Sequence, residues 1–196
     1  MNKVIPRLVV ATLLNEERLS QIRENIGNSN LTKVVGEVDS IFKKNKVPYE
    51  IVGGYAVQHY GYVRTTQDVD LIVRELDFSR SVLLASDRFK PVQGNEKHLI
   101  HKETGVEIDL LIAGSKGNQG AIPYPYPEQS SGGIQFITLP GLISLKLSSG
   151  RYKDLGDVAE LIKTNKLDRS FCAEVEPSLA KAFSIMWDAA QKELGQ

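Results

Sequence analysis

The sequence is poor in several things, and each shortage excludes something. It has one cysteine, Cys172, so no internal disulfide can form and no cysteine-based metal site can assemble. That usage fits a reducing cytoplasm. Its three histidines, His59, His98 and His101, are scattered without the paired spacing of a zinc site and read as surface or strand positions. Excess charge is absent too: Lys+Arg and Asp+Glu both number 24. A neutral chain has no general attraction for nucleic acid, though the sum says nothing against a local basic patch. Long hydrophobic runs are missing. The stretch VIPRLVVATLL is broken by Pro6 and Arg7, is too short to cross a bilayer, and carries no small-residue cleavage site. We therefore expect a soluble cytoplasmic protein with no membrane partner. There is no internal repeat and no heptad run.

What is present is ordinary globular composition, 41% hydrophobic and 24% charged over 196 residues. That length suits one domain, or one domain with a small helical appendage. NEERLSQIREN is helix-compatible, and GNSN breaks it. LTKVVGEVDSIFKKNK places Val34, Val35, Val38, Ile41 and Phe42 at helical spacing, with Lys43, Lys44 and Lys46 near the end the dipole favours for cations. VPYEIVGG reads as a strand entering a glycine turn, GYAVQHYG as a short helix ended by Gly61, and QDVDLIV as a strand. FSRSVLLASD is a helix for which Asp77 is the expected N-cap. FKPV, KHLIHK and GVEIDLLI follow as three strands, antiparallel neighbours because short turns separate them. Residues 114–133 form a long loop of the kind that is often functional. IQFITL is a last strand. GLISLKLSSG (opened by Pro140 and closed by Gly150), RYKDLGDVAELIKTNK and EPSLAKAFSIMWDAAQKEL are helices. The expected division is an N-terminal helical extension over 1–30, an α/β (α+β) core over 31–139 and a C-terminal helical region over 140–196.

Two features carry chemistry. On a strand, alternate side chains share a face, so Asp68 and Asp70 point the same way in an otherwise apolar run. Such a pair is costly unless a cation compensates it. D-x-D beside a turn is also common as a solvent-facing strand start. Asp109, inside the apolar run VEIDLLI, is harder to leave without a purpose. Glu107 shares its face and is the alternative third carboxylate, but the apolar flanks favour Asp109. If the two strands are neighbours, the three carboxylates make a hard-oxygen site of the kind Mg²⁺ uses together with substrate phosphates. The second feature is Gly53-Gly54 at a strand-to-helix joint. A tight turn explains it, and so does close approach of backbone N–H groups to a phosphate.

The ordered set GGYAV, GYVRTTQDVDL and GVEIDLL resembles the DNA polymerase β-like nucleotidyltransferase superfamily. LPGLISLKLSSGRYKDLGDV sharpens the likeness toward its AbiEii-type branch of minimal nucleotidyltransferases, some of them toxins of toxin–antitoxin systems. The resemblance covers roughly residues 33–165. It implies a small mixed sheet flanked by helices and transfer of an NMP from an NTP to an acceptor hydroxyl on a tRNA, a protein or a small molecule. It also implies a possible cognate toxin–antitoxin partner. Asp68, Asp70 and Asp109 would hold Mg²⁺ or Mn²⁺, with Asp109 helping to activate the hydroxyl. Gly53 and Gly54 would hold the triphosphate; Gly54 stands where many relatives have serine. Arg64 would reach a phosphate or position its loop, and Lys146 would neutralise phosphate charge. Arg151, Lys153, Asp154 and Asp157 would form the C-terminal motif. Read from the residues alone, Arg151, Asp154 and Asp157 are equally well a solvated helix face. Tyr124 and Tyr126 read as packing residues before base-stacking ones. A catalytically silent nucleotide- or partner-binding module on the same fold is the alternative function.

Overall fold

The structure is a computed structural model that describes residues 29–129 and 132–195. Apart from its last two residues, the expected extension over 1–30 lies outside them. Helix α1 (Ser29–Lys44) forms where the apolar spacing places it, burying Val34, Val35, Val38 and Phe42 and carrying Lys43 and Lys44 in its last turn. Strand β1 (Tyr49–Val52) runs directly into the short helix α2 (Gly53–His59). Then follow β2 (Asp68–Val73), α3 (Leu76–Ala85), β3 (Phe89–Val92), β4 (Asn95–His101) and β5 (Glu107–Ile112). Helices α4 (Leu139–Ser149), α5 (Tyr152–Thr164) and α6 (Ala180–Glu193) complete the chain, with two short 3₁₀ turns before α6.

The five strands make one mixed sheet in the order β1-β2-β5-β4-β3. Only β2 and β5 are parallel; the other neighbours are antiparallel, including the β3–β4–β5 run expected from its short turns. Strand alternation sends side chains to two cores. Val69, Leu71 and Val73 of β2 pack with Ile108 and Leu110 of β5 against α1 and α3. Ile72 faces the other way, with Val52 and Ala113, into a second core closed by α2, α4, α5 and α6. Each fully buried aliphatic or aromatic side chain in these cores contributes about 1.5–3 kcal/mol of burial free energy. Asp68 and Asp70 lie on the same face as Ile72, turned toward the C-terminal helices.

Three local readings are corrected. Asp77 is not the cap of α3: Glu75 holds that position with no side-chain cap bond, and Asp77 sits in the first turn, where the dipole still favours it. IQFITL is not a strand. It makes one parallel bridge, Ile51 to Phe136, held by Ile51 N–H to Gln135 O (2.8 Å) and Ile137 N–H to Ile51 O (3.0 Å), before Thr138 turns the chain into α4. The last helix begins only at Ala180, because Pro177 opens a separate 3₁₀ turn. Among the described residues no helix is long and apolar enough to cross a membrane.

Candidate active site

The parallel register sets Asp70 of β2 directly beside Asp109 of β5, and Asp68 beside Glu107. Four carboxylates thus start two adjacent central strands on one face. Burial, then repulsion from Asp68 and Asp109, pushes the Asp70 carboxyl up to about 6, against partial relief from Lys146 and Arg151. Burial also raises Asp109. His98 opposes that rise, while Asp68 and Glu107 add to it. Asp68 accepts a hydrogen bond from the Thr66 hydroxyl (2.6 Å).

Gly53 is explained by this crowding. Its φ is +64°, and a Cβ there would sit inside the Asp70 carboxylate. Gly54 is pressed from another side: a Cβ would strike the Thr66 hydroxyl and the Arg64 guanidinium. A Gly53→Ala variant is therefore expected to lose about 1–3 kcal/mol, from backbone strain and overpacking, and to displace Asp70. Urea unfolding measures it, and a loss below about 0.5 kcal/mol would contradict this geometry.

Asp70 and Asp109 stand in a cavity of about 470 Å³ walled by Gly53, the 115–124 segment, α4 and the start of α5. The segment is folded back on itself: Lys116 bridges Pro123, Tyr124 N–H donates to Ser115 O (2.9 Å) and Gly114 N–H to Tyr124 O (2.9 Å). The long loop thereby turns a half-buried Tyr124 into the cavity. Burial, then the charge of Asp70, raises its phenol. Tyr126 is instead 62% exposed, with the Arg74 guanidinium 5.9 Å from its ring centre.

On the helical wall, Lys146 is only 5% exposed, and Asp154 and Asp157 still less, so the solvated-face reading of these aspartates does not hold. Lys146 Nζ donates to Asp154 Oδ1 (3.0 Å) and Asp157 Oδ2 (2.6 Å). The charged head in LISLKL thus finds its counter-ions on the next helix. Asp154 also accepts from Ser149 Oγ and Arg151 Nε, both at 2.6 Å. Burial alone would raise the Asp154 carboxyl; Lys146, Ser149 and Arg151 outweigh it and hold it at about 2. Arg64 Nε lies 3.1 Å from Asp157 Oδ1, an ion pair out of line for a hydrogen bond. Asp157 therefore ties the loop before β2 to the helical wall. Lys153 is exposed.

Sequence reasoning passed over His98. Its Nε2 lies 2.6 Å from Asp109 Oδ1, across the β4–β5 pair that sets the two residues opposite each other. Nothing local marks it, because the partner is eleven residues away on another strand. His101 is by contrast a core histidine, bonded to Thr104 and Glu37. Among the described residues, no three histidine, cysteine, aspartate or glutamate side chains already converge as a ready metal site.

A mixed sheet whose central parallel pair begins with carboxylates, backed by helices on both faces, is the nucleotidyltransferase fold. The chain is similar to the antibiotic-resistance factor ANT(2'')-Ia at a TM-score of 0.51 and 9% identity, over 86% of this chain and 96% of that one. It is also similar to CdnC of E. coli MS115-1, solved with ATP, at a TM-score of 0.33 and 13% identity, over 76% of this chain and 51% of that one. The second likeness is too slight to carry any argument, and the first carries the fold alone. The AbiEii-type branch is a finer statement than either supports. No family model matches the chain, and no curated protein matches it significantly.

Proposed function

We propose that the protein transfers a nucleoside monophosphate from an NTP to an acceptor hydroxyl. The acceptor oxygen forms a bond to the α-phosphorus, the bond from that phosphorus to the bridging oxygen breaks, and pyrophosphate leaves with its electron pair. The observation that carries this reading is the in-register pair Asp70–Asp109 at the floor of a polar cavity. The donor set fits Mg²⁺ or Mn²⁺: hard carboxylate oxygens, crowded until they repel one another, with Gly53 leaving room for Asp70. Asp68, Asp70 and Asp109 would hold the ions. Bound divalent ions supply charge neutralisation on the phosphates and a lowered pKa for the acceptor hydroxyl.

The rest falls to the chain's own groups. Gly53 and Gly54 offer backbone N–H groups to the triphosphate. Asp109 orients the acceptor hydroxyl or takes its proton. Arg64 holds the loop that delivers Thr66 to Asp68. Lys146, with Asp154, Asp157 and Arg151 around it, presents a fixed and nearly balanced charge cluster on the opposite wall, and Lys153 stands exposed beside it. The acceptor is a tRNA, a protein or a small molecule, and a toxin–antitoxin role rests on the sequence resemblance.

The alternative is a catalytically silent nucleotide- or partner-binding module on the same fold. Incubation with each α-³²P-labelled NTP, Mg²⁺ or Mn²⁺, and tRNA or cell extract separates the two. Label passing to an acceptor, and lost in the Asp68→Ala/Asp70→Ala variant, is the expected result. Nucleotide binding without any transfer across the four NTPs would favour the binding module.

A further inference from the structure

Asp70, Asp109 and His98 form one row across the three adjacent strands β2, β5 and β4. Asp109 is in the middle. Its side chain is 29% exposed and His98 is 32% exposed, and both line the cavity. A carboxylate this open would rotate freely. His98 Nε2 restricts that rotation by lying 2.6 Å from Oδ1, and no hydrogen bond or ion pair among the described residues takes Oδ2. Lys97, next to His98 on β4, is exposed and makes no salt bridge among the described residues; its charge acts on Asp109 from a distance, and His98 is the residue in direct contact.

We infer that His98 is the positioning residue of the metal site: its Nε2, 2.6 Å from Asp109 Oδ1, fixes that carboxylate for ion binding. This inference rests on the metal-dependent reading above. Histidine–carboxylate pairs behind metal ligands work in this way, and losing such an outer partner typically costs 10–100-fold in metal affinity. Here the histidine stands behind the carboxylate. A cross-strand pair that only stabilised the sheet would leave ion affinity untouched.

The test is a Mn²⁺ titration of the intact protein without nucleotide, following the free aquo-ion signal by electron paramagnetic resonance. His98→Leu removes the polar partner of Asp109. His98→Gln keeps a polar side-chain nitrogen at similar reach. The expected result is Mn²⁺ binding at least about 10-fold weaker in His98→Leu and close to the parent in His98→Gln. Thermal melts check that both variants fold, as a one-third-exposed position allows. Equal or tighter binding by folded His98→Leu overturns this inference alone, as does equal loss in both variants. A parent that takes up no Mn²⁺ overturns the inference together with the metal-dependent reading.

Discussion

Asp70→Asn is expected to abolish transfer and yet make the protein more stable at pH 7. Asp70 sits among like charges, and its carboxyl is raised from 3.8 to about 6. Between about pH 4 and 6 the folded state therefore holds a proton that the unfolded chain has already released. Stability contributed by this group is present below about pH 4 and falls as pH rises through about 6. At pH 7 the ionised carboxylate is a net cost of about 1–3 kcal/mol, which asparagine removes. Catalysis moves the other way. A carboxylate that holds a divalent ion supports several kcal/mol of transition-state stabilisation, so loss of about a thousandfold or more in rate follows. Thermal melts at pH 5 and pH 7, run beside the label-transfer assay, measure both. The gain in melting temperature should shrink at pH 5. A destabilised Asp70→Asn variant would mean that Asp70 is a structural group rather than a strained functional one.

Asp157→Ala should show the largest loss of stability. Its carboxylate, buried to 3% exposure, meets Lys146 at 2.6 Å and Arg64 at 3.1 Å. Among the described residues, removal leaves Arg64 without a carboxylate and Lys146 with Asp154 alone. Breaking a buried pair from one side typically costs about 3–5 kcal/mol, because the remaining charge is uncompensated. Lys146→Met should cost less, since Asp154 keeps Arg151 and Ser149, and Asp157 keeps Arg64. Urea melts of the two variants decide it. The reverse order would place the main work of the cluster in Lys146 itself. Activity of Asp157→Ala should fall even where the protein is fully folded, because Arg64 carries the loop whose Thr66 bonds Asp68.

Much of this was legible in the sequence, for local reasons. Alternation along a strand has period two, so DVDLIV and EIDLLI announce their acidic and apolar faces without a structure. The ends of α4 follow equally from near neighbours: Thr138 accepts from Gly141 N–H at 3.2 Å, and Gly150 takes a left-handed φ of +64°. Where local rules compete, the sequence does not decide. Both Glu75 and Asp77 stand near the start of α3, and composition alone does not choose between them. IQFITL has the composition of a strand, but among the described residues its backbone bridges only to Ile51.

By itself, the sequence determined which side chains share a face, where chain direction changes, and that Asp68, Asp70 and Asp109 lie on strands. The tertiary structure decided what those faces meet. Parallel pairing of β2 with β5 puts Asp70 beside Asp109 rather than a strand away. Placing β4 on the far side of β5 brings His98 to Asp109. Packing of α4 on α5 converts Lys146, Asp154 and Asp157 from scattered charges into a buried cluster. Gly53 reads in sequence as a turn or a phosphate cradle, and in space as room for a carboxylate. The reason is the same each time. Backbone periodicity is set by neighbours a few residues apart, whereas register, strand order and charge pairing are set by groups the chain brings together only on folding.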